Sequence, residues 1–279
     1  MPELPEVQTV VTTLRPLLVG RILGNVRVLR QDVILPAGTD IVPLLTGRQA
    51  TDITRRGKKI IVTLDSGNRF TVHLGMTGRL TILPISADVA KHTHLIITVG
   101  EHWELRFHDP RRFGEIRWLG ATAAFDADLG PEPLDITAAE LSVRLRKTRR
   151  AIKSALLDQR LIAGLGNIYV DEALHAAAIH PLTPANKATS AQTAKLTRAI
   201  KSTLHRALRH KGSTLRDYRD AEGNSGDFQK LHRVYGREGQ PCWKCGTPIK
   251  RIVIGGRSSH FCPECQARGK KRATRRHNS

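Results

Sequence analysis

Two Cys-x-x-Cys motifs near the end of the sequence constrain the fold more than any other feature. Sixteen residues separate the two pairs, and the four cysteines of the chain are Cys242, Cys245, Cys262 and Cys265. This spacing is typical of a zinc ribbon in which four thiolates bind one metal ion. Since four thiolates leave no open coordination position, the pattern predicts one structural Zn²⁺.

Two disulfide bonds are the competing interpretation of these cysteines. Pro2 and Glu3 stand where a secretory signal would need a basic and then an apolar region, so we expect a cytosolic protein with reduced thiols. Residues 249–261, between the two pairs, are predicted to form a β-hairpin with its tip at Gly255-Gly256.

Residues 22–118 alternate short apolar segments with turn signals, which indicates a β-sandwich or a β-barrel. A breaker-rich stretch, residues 129–134, then marks a boundary, and apolar residues three and four apart predict helices beyond it. The predicted strands are 60–64, 70–74, 94–99, 103–107 and 116–119, and the predicted helices are 138–146, 149–158, 168–178 and 188–210. A chain of 279 residues with 40% hydrophobic content can bury two cores.

The formal net charge is +20, from 45 Lys and Arg against 25 Asp and Glu. Such an excess favours a polyanionic partner, and nucleic acid is the first candidate. The apolar runs are far shorter than the roughly 20 residues that span a bilayer, so no membrane partner is expected. Residues 266–279 hold six Lys or Arg and no acidic residue; we expect this basic tail to be disordered and to add nonspecific affinity for DNA.

The first residues suggest a covalent catalyst. If Met1 is removed, Pro2 becomes a secondary amine followed directly by the carboxylate of Glu3. An α-amino group has a pKa of about 8, so a usable fraction is uncharged near neutral pH and can attack a sugar carbon to form an iminium. The alternative is an ordinary amphipathic helix with Pro5 in its first turn.

Two loops predicted after strands carry apolar and guanidinium groups. Residues 73–79 place Met76 at a loop tip, and residues 108–114 do the same for Arg111 and Phe113. Such groups can wedge into a base stack, because an enzyme that acts on a base in a duplex must first extrude it. The alternative is that Met76 and Phe113 belong to the core and that Asp109 pairs with an arginine.

Two further segments fit phosphate binding. Residues 55–59 place Lys58 in a basic cluster at the edge of the sheet domain, which also fits a merely solubilising edge. Residues 163–169 contain Gly164, Gly166 and Asn167, and Asn167 is predicted to cap a helix near Lys153. An ordinary capped turn is the alternative for this second segment.

Taken together, these motifs resemble those of the formamidopyrimidine-DNA glycosylases from Pro2 to Cys265. The resemblance rests on the cysteine quartet and on seven motifs in the same order: Pro-Glu-Leu-Pro-Glu-Val at the start, Arg-Arg-Gly-Lys at 55–58, His-Leu-Gly-Met-Thr-Gly at 73–78, Asp-Pro-Arg-Arg-Phe-Gly at 109–114, Leu-Gly-Pro-Glu-Pro-Leu at 129–134, Gly-Leu-Gly-Asn-Ile-Tyr at 164–169 and Val-Tyr-Gly-Arg at 234–237.

The resemblance implies base-excision repair of oxidised purines, 8-oxoguanine and formamidopyrimidines, in double-stranded DNA. It implies that Pro2 attacks C1′ of the damaged nucleotide, that Glu3 protonates the opening deoxyribose, and that β- and δ-elimination then cleave the strand, so abasic sites are also substrates. Glu6 is implied as the second acidic residue of the site, and Lys58 as a contact to the phosphate and the damaged base.

The resemblance also implies the contacts to DNA. Met76, Arg111 and Phe113 correspond to a void-filling wedge, with Arg111 facing the orphaned cytosine. Residues that match phosphate-binding or nearby DNA-contacting positions are His92, Lys153, Asn167 and Arg257.

The implied fold is α+β, in a monomer of the bacterial cytosol and nucleoid. It comprises an N-terminal helix plus a two-layer β-sandwich over residues 1–131, a helix-two-turn-helix domain over 132–235, a zinc-finger β-hairpin over 236–266 and the basic tail 267–279.

Two departures and two rival functions bear on these expectations. Gln8 stands where the family usually has Glu, and segment 222–228, which matches a loop that closes over the flipped base, differs in composition from its relatives. An endonuclease VIII type enzyme for oxidised pyrimidines is one rival, and Leu4 and the Met-Thr-Gly and Arg-Arg-Phe motifs argue against it. A non-catalytic protein that binds damaged DNA is the other.

Overall fold

The computed structural model describes residues 2–122, 124 and 126–268. Met1 and most of the predicted basic tail therefore lie outside the described residues. The chain divides into two compact units: one comprises the chain up to Ile136, Asp158–Gly166 and Lys201–Leu231, and the other comprises Thr137–Leu157, Asn167–Ile200 and the chain from His232 on. None of the described helices is long and apolar enough to cross a membrane.

The first unit opens with helix α1, Leu4–Leu18, which has Pro5 in its first turn. Its apolar side chains recur three and four residues apart, as an amphipathic helix requires, and the buried ones include Leu4, Val7, Leu14 and Leu18. Helix α1 packs into the same core as the strands that follow it.

Two sheets complete this unit and confirm the predicted β-sandwich. One has the order β1-β7-β8-β6, the other the order β2-β9-β5-β4-β3, and short helix α2 spans Val42–Leu45. The strands are β1 Leu23–Val28, β2 Ile34–Leu35, β3 Ala50–Arg56, β4 Lys59–Leu64, β5 Arg69–His73, β6 Arg79–Pro84, β7 Thr93–Val99, β8 Trp103–His108 and β9 Glu115–Gly120. Each of the five predicted strands matches an observed strand to within one residue at either end.

The helices of the later chain are α3 Ala138–Arg146, α4 Ile152–Leu157, α5 Asn167–Ala177 and α6 Ser190–Arg209. The helix predicted over residues 149–158 begins only at Ile152, because Ala151 pairs with Pro184 in an isolated β-bridge and the Ile152 amide donates to the carbonyl of Thr183. Asn167 is the first residue of α5 rather than the residue before it.

The two units do not follow the chain in linear order. Segment Asp158–Gly166 returns to the first unit, where the Gly130 amide donates to the Gln159 carbonyl at 2.8 Å and the Ala163 amide donates to the Pro131 carbonyl at 3.0 Å. The predicted linear boundaries, after residues 131, 235 and 266, remain a prediction.

In the second unit, strands β10, Lys250–Ile254, and β11, Arg257–Phe261, form the predicted hairpin. Gly255 and Gly256 form its two-residue turn, with φ of 56° and 74°. Positive φ at both central residues matches the right-handed twist of a two-residue hairpin and favours glycine at both positions.

A buried polar cluster joins α5 to the segment before the zinc ribbon within this unit. The carboxylate of Glu172 accepts hydrogen bonds from the backbone amides of Arg233, Val234 and Tyr235 at 2.9–3.0 Å. His232, next to this turn, is 4% exposed and stacks edge-on against Tyr235. Burial lowers the pKa of His232 to about 4.

His232 therefore predicts a pH dependence of stability. Its folded pKa lies below the unfolded value of about 6.5, so its contribution is complete above that pH and is lost as the pH falls toward 4. We expect the free energy of unfolding of the wild type to fall by about 2 kcal/mol more than that of His232→Gln between about pH 7.5 and pH 5.

Urea unfolding of both proteins at the two pH values measures this difference. All other ionisable groups are the same in the two proteins, so their contributions cancel in the comparison. An equal loss of stability in the two proteins would show that His232 is not the responsible group.

Candidate active site and nucleic-acid interface

The N-terminal residues are held in a defined position in the first unit. Pro2 is buried and Glu3 is 2% exposed. Glu3 is the N-cap residue of α1 and forms a capping box with Glu6, whose Oε2 accepts a hydrogen bond from the Glu3 amide at 2.8 Å. The next amide, that of Leu4, donates to the carbonyl of Gly164 at 3.0 Å. The backbone on the C-terminal side of Pro2 is thereby fixed.

Two glycines make this arrangement possible. A Cβ atom on Gly166 would lie 2.3 Å from Cδ of Glu3, and one on Gly164 would lie 2.9 Å from the Leu4 side chain. Gly164 also has φ of 80°, which L side chains rarely adopt. The sequence suggested that these glycines allow a close approach, and the structure shows that Glu3 and Leu4 occupy the space.

Glu6 uses its second oxygen to hold the chain after α6. Its Oε1 accepts a hydrogen bond from the Ser213 amide at 2.7 Å. A Cβ atom on the preceding Gly212 would lie 2.6 Å from the same oxygen. One buried carboxylate thus joins the amide of Glu3 to the start of the segment that contains residues 222–228. The sequence analysis did not identify Ser213 and Gly212 as residues of this site. The available signal was their position shortly after a helix that ends in basic residues.

The segment predicted to close over an extruded base is folded on its neighbours in the first unit. The Asn224 amide donates to the carboxylate of Asp220 at 2.8 Å, and the Gly226 amide donates to Oγ1 of Thr214 at 2.9 Å. The amide of Ile82, in strand β6, donates to the carbonyl of Ala221 at 2.9 Å. The role of segment 222–228 as a loop that closes over the base stays a prediction.

Lys58 lies in the turn between β3 and β4, next to Gly57, whose φ is 57°. A Cβ atom on Gly57 would lie 3.5 Å from Ala163 Cβ, so this turn reaches the segment that holds Leu4. Arg55 and Arg56, by contrast, form ion pairs with Glu132 at 2.7 and 3.0 Å. Of the predicted basic cluster, these two arginines stabilise the fold.

The two predicted wedge loops expose their apolar tips. Met76, between β5 and β6, is 39% exposed, and Phe113, after β8, is 56% exposed. The guanidinium carbon of Arg111 lies 4.7 Å from the centre of the Phe113 ring, a cation–π distance. This exposure argues against the interpretation of Met76 and Phe113 as core residues.

Asp109 organises these loops from beneath. Its side chain is fully buried and accepts hydrogen bonds from Thr77 Oγ1 and from the Gly114 amide, the latter at 2.8 Å. Its own amide donates to the carbonyl of His92, which is exposed and has φ of 68°. Asp109 therefore acts as a hub for three loops and is not merely the partner of an arginine.

The predicted phosphate contacts of the second unit fall into two groups. Arg257 is exposed at the start of β11, and Nδ2 of Asn167 donates to the neighbouring Ser258 hydroxyl at 3.4 Å. Lys153 is different, because its side chain is fully buried and its Nζ lies 2.6 Å from Oδ1 of Asp171. Nζ also donates to the backbone carbonyl of Asn167 at 3.2 Å.

The expectation that Lys153 contacts DNA directly therefore does not fit its burial, and Asp171, which sequence reasoning missed, is its partner. Asp171 also accepts a hydrogen bond from the His260 amide of β11 at 2.9 Å. An acidic residue in the first turn or two of α5, after a basic one in α4, was the signal for this ion pair.

The four cysteines have the geometry of the predicted zinc site. All four Sγ atoms lie within 4.8 Å of one another, and the Sγ–Sγ distances are 3.5 Å for Cys245–Cys262 and 3.9 Å for Cys242–Cys265. A tetrahedron of Zn–S bonds of about 2.3 Å has edges of about 3.8 Å, which these distances match. A disulfide would need about 2.05 Å, so the competing interpretation is excluded.

Groups around the cysteines stabilise the ribbon. Nε2 of His175 lies 3.6 Å from Sγ of Cys242. Trp243, between the first two cysteines, lies 4.3 Å from the guanidinium of Arg233 and 4.5 Å from that of Arg237. Zinc in this position would fix the base of the hairpin that carries Arg257.

Comparison with known proteins gives the same family for three parts of the chain. Residues 1–116 match the formamidopyrimidine-DNA glycosylase N-terminal domain, residues 129–219 match the H2TH domain of that glycosylase, and residues 239–268 match a zinc finger found in FPG and IleRS. Among curated relatives, formamidopyrimidine-DNA glycosylases from Herpetosiphon aurantiacus and a Roseiflexus species are 44% and 46% identical; they cover 96% and 95% of this chain and 100% of their own lengths.

Solved structures agree. The MutM (Fpg) protein of Thermus thermophilus is 40% identical, with a TM-score of 0.85 over 96% of this chain and 100% of its own. A mutant Fpg of Lactococcus lactis, in complex with DNA that contains Fapy-dG, is 34% identical, with a TM-score of 0.89 over 96% of this chain and 100% of its own.

The zinc site yields a prediction. We expect the wild type to hold one zinc ion per chain and Cys245→Ser to lose at least about 100-fold in zinc affinity, because a coordinating thiolate is removed. Metal content after dialysis against a weak chelator measures this loss. Ser259→Ala, in the hairpin between the two cysteine pairs, is the control, since its buried hydroxyl has no hydrogen-bond partner among the described residues. Full zinc content in Cys245→Ser would contradict the four-thiolate site.

Proposed function

This chain belongs to the formamidopyrimidine-DNA glycosylase family, and we propose that Pro2 is the nucleophile of its reaction and Glu3 the proton donor. The protein is a DNA glycosylase and AP lyase of base-excision repair, and its partner is damaged double-stranded DNA. One observation carries the assignment of residues: Glu3 and the backbone after Pro2 are held in place by Glu6 and by Gly164.

The first chemical step uses the amine of Pro2 after removal of Met1. Its nitrogen attacks C1′ of the damaged nucleotide, a C–N bond forms, and the bond from C1′ to the base breaks. The Pro2 nitrogen gives up its N–H proton in this attack, and the leaving base takes up one proton, so the two transfers balance. Glu3 gives its proton to the ring oxygen as the deoxyribose opens, which leaves a positively charged iminium between Pro2 and C1′.

The second step cleaves the strand. The iminium withdraws electrons and acidifies the proton on C2′, so a base in the site removes that proton and the 3′-phosphate leaves by β-elimination. A second, δ-elimination releases the 5′-phosphate. Glu3, deprotonated after the first step, accepts a proton in this phase, because it directly follows Pro2 in the sequence.

Glu6 and Lys58 position the substrate in this proposal. Glu6 accepts hydrogen bonds from the Glu3 amide and the Ser213 amide, so it holds both the residue after the nucleophile and the start of the segment that contains the proposed closing loop. Lys58, in the turn beside Gly57, supplies a cation for the phosphate and the damaged base. The support for Lys58 is its place in the turn that reaches Ala163.

The DNA contacts divide between holding the backbone and filling the stack. Extruding a nucleotide costs a few kcal/mol, which the wedge residues Met76, Arg111 and Phe113 offset by occupying the vacated space. His92, Asn167 and Arg257 bind phosphates. Lys153 is a positioning residue: its ion pair with Asp171 and its bond to the Asn167 carbonyl hold the start of α5.

The proposed substrates are oxidised purines, 8-oxoguanine and formamidopyrimidines, together with abasic sites. The Lactococcus lactis relatives have been solved with DNA that contains Fapy-dG or an abasic site, which supports this substrate class. The proposed location is the bacterial cytosol, which keeps four thiolates reduced and contains the DNA, and the proposed state is a monomer.

Borohydride trapping tests the nucleophile and the lesion class together. Reduction converts the iminium into a stable amine, so the wild type is expected to form a covalent adduct at Pro2 on a duplex with 8-oxoguanine opposite cytosine. Glu3→Gln is expected to form the adduct about 10²- to 10⁴-fold more slowly, because it lacks the proton that opens the deoxyribose. Pro2→Gly is expected to form much less of the covalent adduct at residue 2 than the wild type.

Two controls sharpen this experiment. Protein that retains Met1 has no free amine at Pro2 and should give no adduct, and a duplex with an oxidised pyrimidine should react poorly. A stronger reaction with the pyrimidine would assign the endonuclease VIII class instead. Tight binding without adduct or strand cleavage would assign a non-catalytic damage-binding protein.

Gly166→Ala tests whether the packing of Glu3 sets the rate. The new Cβ would overlap the end of the Glu3 side chain, so the carboxylate must shift by about 1 Å, which costs on the order of 100-fold in rate. The free energy of unfolding should fall by only about 1 kcal/mol, because the displaced group is flexible. Gly24→Ala is the control, since its Cβ would lie 3.3 Å from Thr98 Cβ, away from Glu3. Wild-type kinetics in Gly166→Ala would remove Glu3 from the proposed role.

A further inference from the structure

Helix α6, Ser190–Arg209, carries a one-sided charge that the reaction does not use. Its 20 residues include five Lys or Arg and one His but no Asp or Glu. An exposed helix normally mixes charges of both signs, because opposite charges three and four residues apart stabilise it. The absence of acidic residues leaves α6 without that support and suggests a partner that supplies the negative charge.

The exposed positions of α6 form a single line. Side chains three or four residues apart lie on the same face of a helix, and the exposed residues follow that spacing. We call this line the α6 stripe; its members are Lys195, Arg198, Ser202, His205 and Arg209. The opposite face is apolar, and its residues Leu196, Ile200, Leu204 and Ala207 are buried. The stripe is therefore the face that α6 presents to solvent.

The charges of the stripe have no acidic partner in the part of the chain that the structure describes. Each ion pair found there joins residues of other elements, and none includes Lys195, Arg198 or Arg209. Arg206, beside the stripe, instead lies 5.8 Å from the Phe228 ring centre. Arg55, Arg56 and Lys153 show that this fold does neutralise a cation when the cation has a structural role.

We propose that the α6 stripe binds the phosphate backbone of undamaged duplex DNA and so forms an accessory DNA-binding surface separate from the wedge loops. From Lys195 to Arg209 the stripe is about 21 Å long, at 1.5 Å per residue. That length spans about six phosphates of one strand, at 3.4 Å per base pair. Ser202 adds a hydroxyl that can bind a phosphate oxygen.

Such contacts carry no sequence information, because they reach only the backbone. They would hold the enzyme on undamaged DNA by a salt-dependent attraction and thereby raise the local concentration of the enzyme along the duplex. The surface commits to duplex DNA because DNA is the partner of this family and because the stripe is long, straight and of one sign.

The test compares two charge-reversal variants of the full-length protein. Arg198→Glu/Arg209→Glu changes the stripe, and Arg21→Glu/Arg48→Glu makes the same change in net charge at two exposed arginines of the first unit that lie outside helix α6. Glutamate is a good helix former, so the stripe variant is expected to fold. Binding to an undamaged duplex of roughly 60 base pairs is measured at several salt concentrations.

The stripe variant should lose two phosphate contacts, so the slope of log K against log salt becomes smaller in magnitude by about 1.8. Between about 50 and 200 mM salt, its affinity then falls about twelvefold less than that of the wild type. The control variant should keep the wild-type slope, and Arg198→Lys/Arg209→Lys should keep it too. Single-turnover base excision at saturating enzyme should stay within about twofold of wild type in all variants, which separates this proposal from the assignment of Pro2 and Glu3.

Three results would overturn the proposal. The first is an unchanged slope in the stripe variant. The second is an equal decrease in the control variant, which would mean that net charge alone matters. The third is unchanged DNA binding together with lost binding to vesicles of anionic phospholipid, which would assign the stripe to a membrane surface. If Arg198→Glu/Arg209→Glu does not fold, Arg198→Gln/Arg209→Gln serves in its place, with an expected slope change of the same size.

Discussion

The two hydrogen bonds of the Glu6 carboxylate are the interaction on which the proposed active site depends. One oxygen holds the amide of Glu3 and the other holds the amide of Ser213, 207 residues away in sequence. A buried carboxyl group is costly unless its oxygens accept hydrogen bonds, so both backbone donors stabilise Glu6 in this position. The same carboxylate therefore both caps α1 and fixes the position of the chain after α6.

This linkage explains why small residues surround the N-terminus. Gly164, Gly166 and Gly212 each stand where a Cβ atom would press on Leu4, Glu3 or Glu6. At these three positions a larger side chain would overlap its neighbour. Close packing of backbone on these acids limits their motion, and limited motion is what an amine and a proton donor need in order to act on the same sugar. In the wedge loops, a buried carboxylate likewise holds two segments together: Asp109 accepts hydrogen bonds from Thr77 and from the Gly114 amide.

Many elements of the fold were predictable from the sequence, because residues close together in the chain determine them. The cysteine spacing and the Gly255-Gly256 turn determine the hairpin, and alternation of apolar residues located five strands to within a residue. The partners of buried charges were not predictable, because they come from distant parts of the chain. Asp171 pairs with Lys153 across 18 residues, and Glu132 pairs with Arg55 and Arg56 across more than 70. No local pattern specifies such pairs, so the sequence predicts a DNA contact for Lys153 but not its ion pair with Asp171.

The same distinction changes what the net charge of +20 means. Cations that are buried beside a carboxylate add to the formal count but produce little field outside the protein, as with Arg106, which is 3% exposed and bonded to Glu104. The field that a polyanion meets comes from exposed cations without acidic neighbours. In the described chain these include Arg257 on the hairpin, Arg111 on the wedge and the α6 stripe. The first two act at the lesion by the proposal above, whereas the stripe lies on a helix with no part in that chemistry. A charge excess that serves only the reaction would not need a third surface, and this is why the stripe is best explained by DNA that is not being repaired.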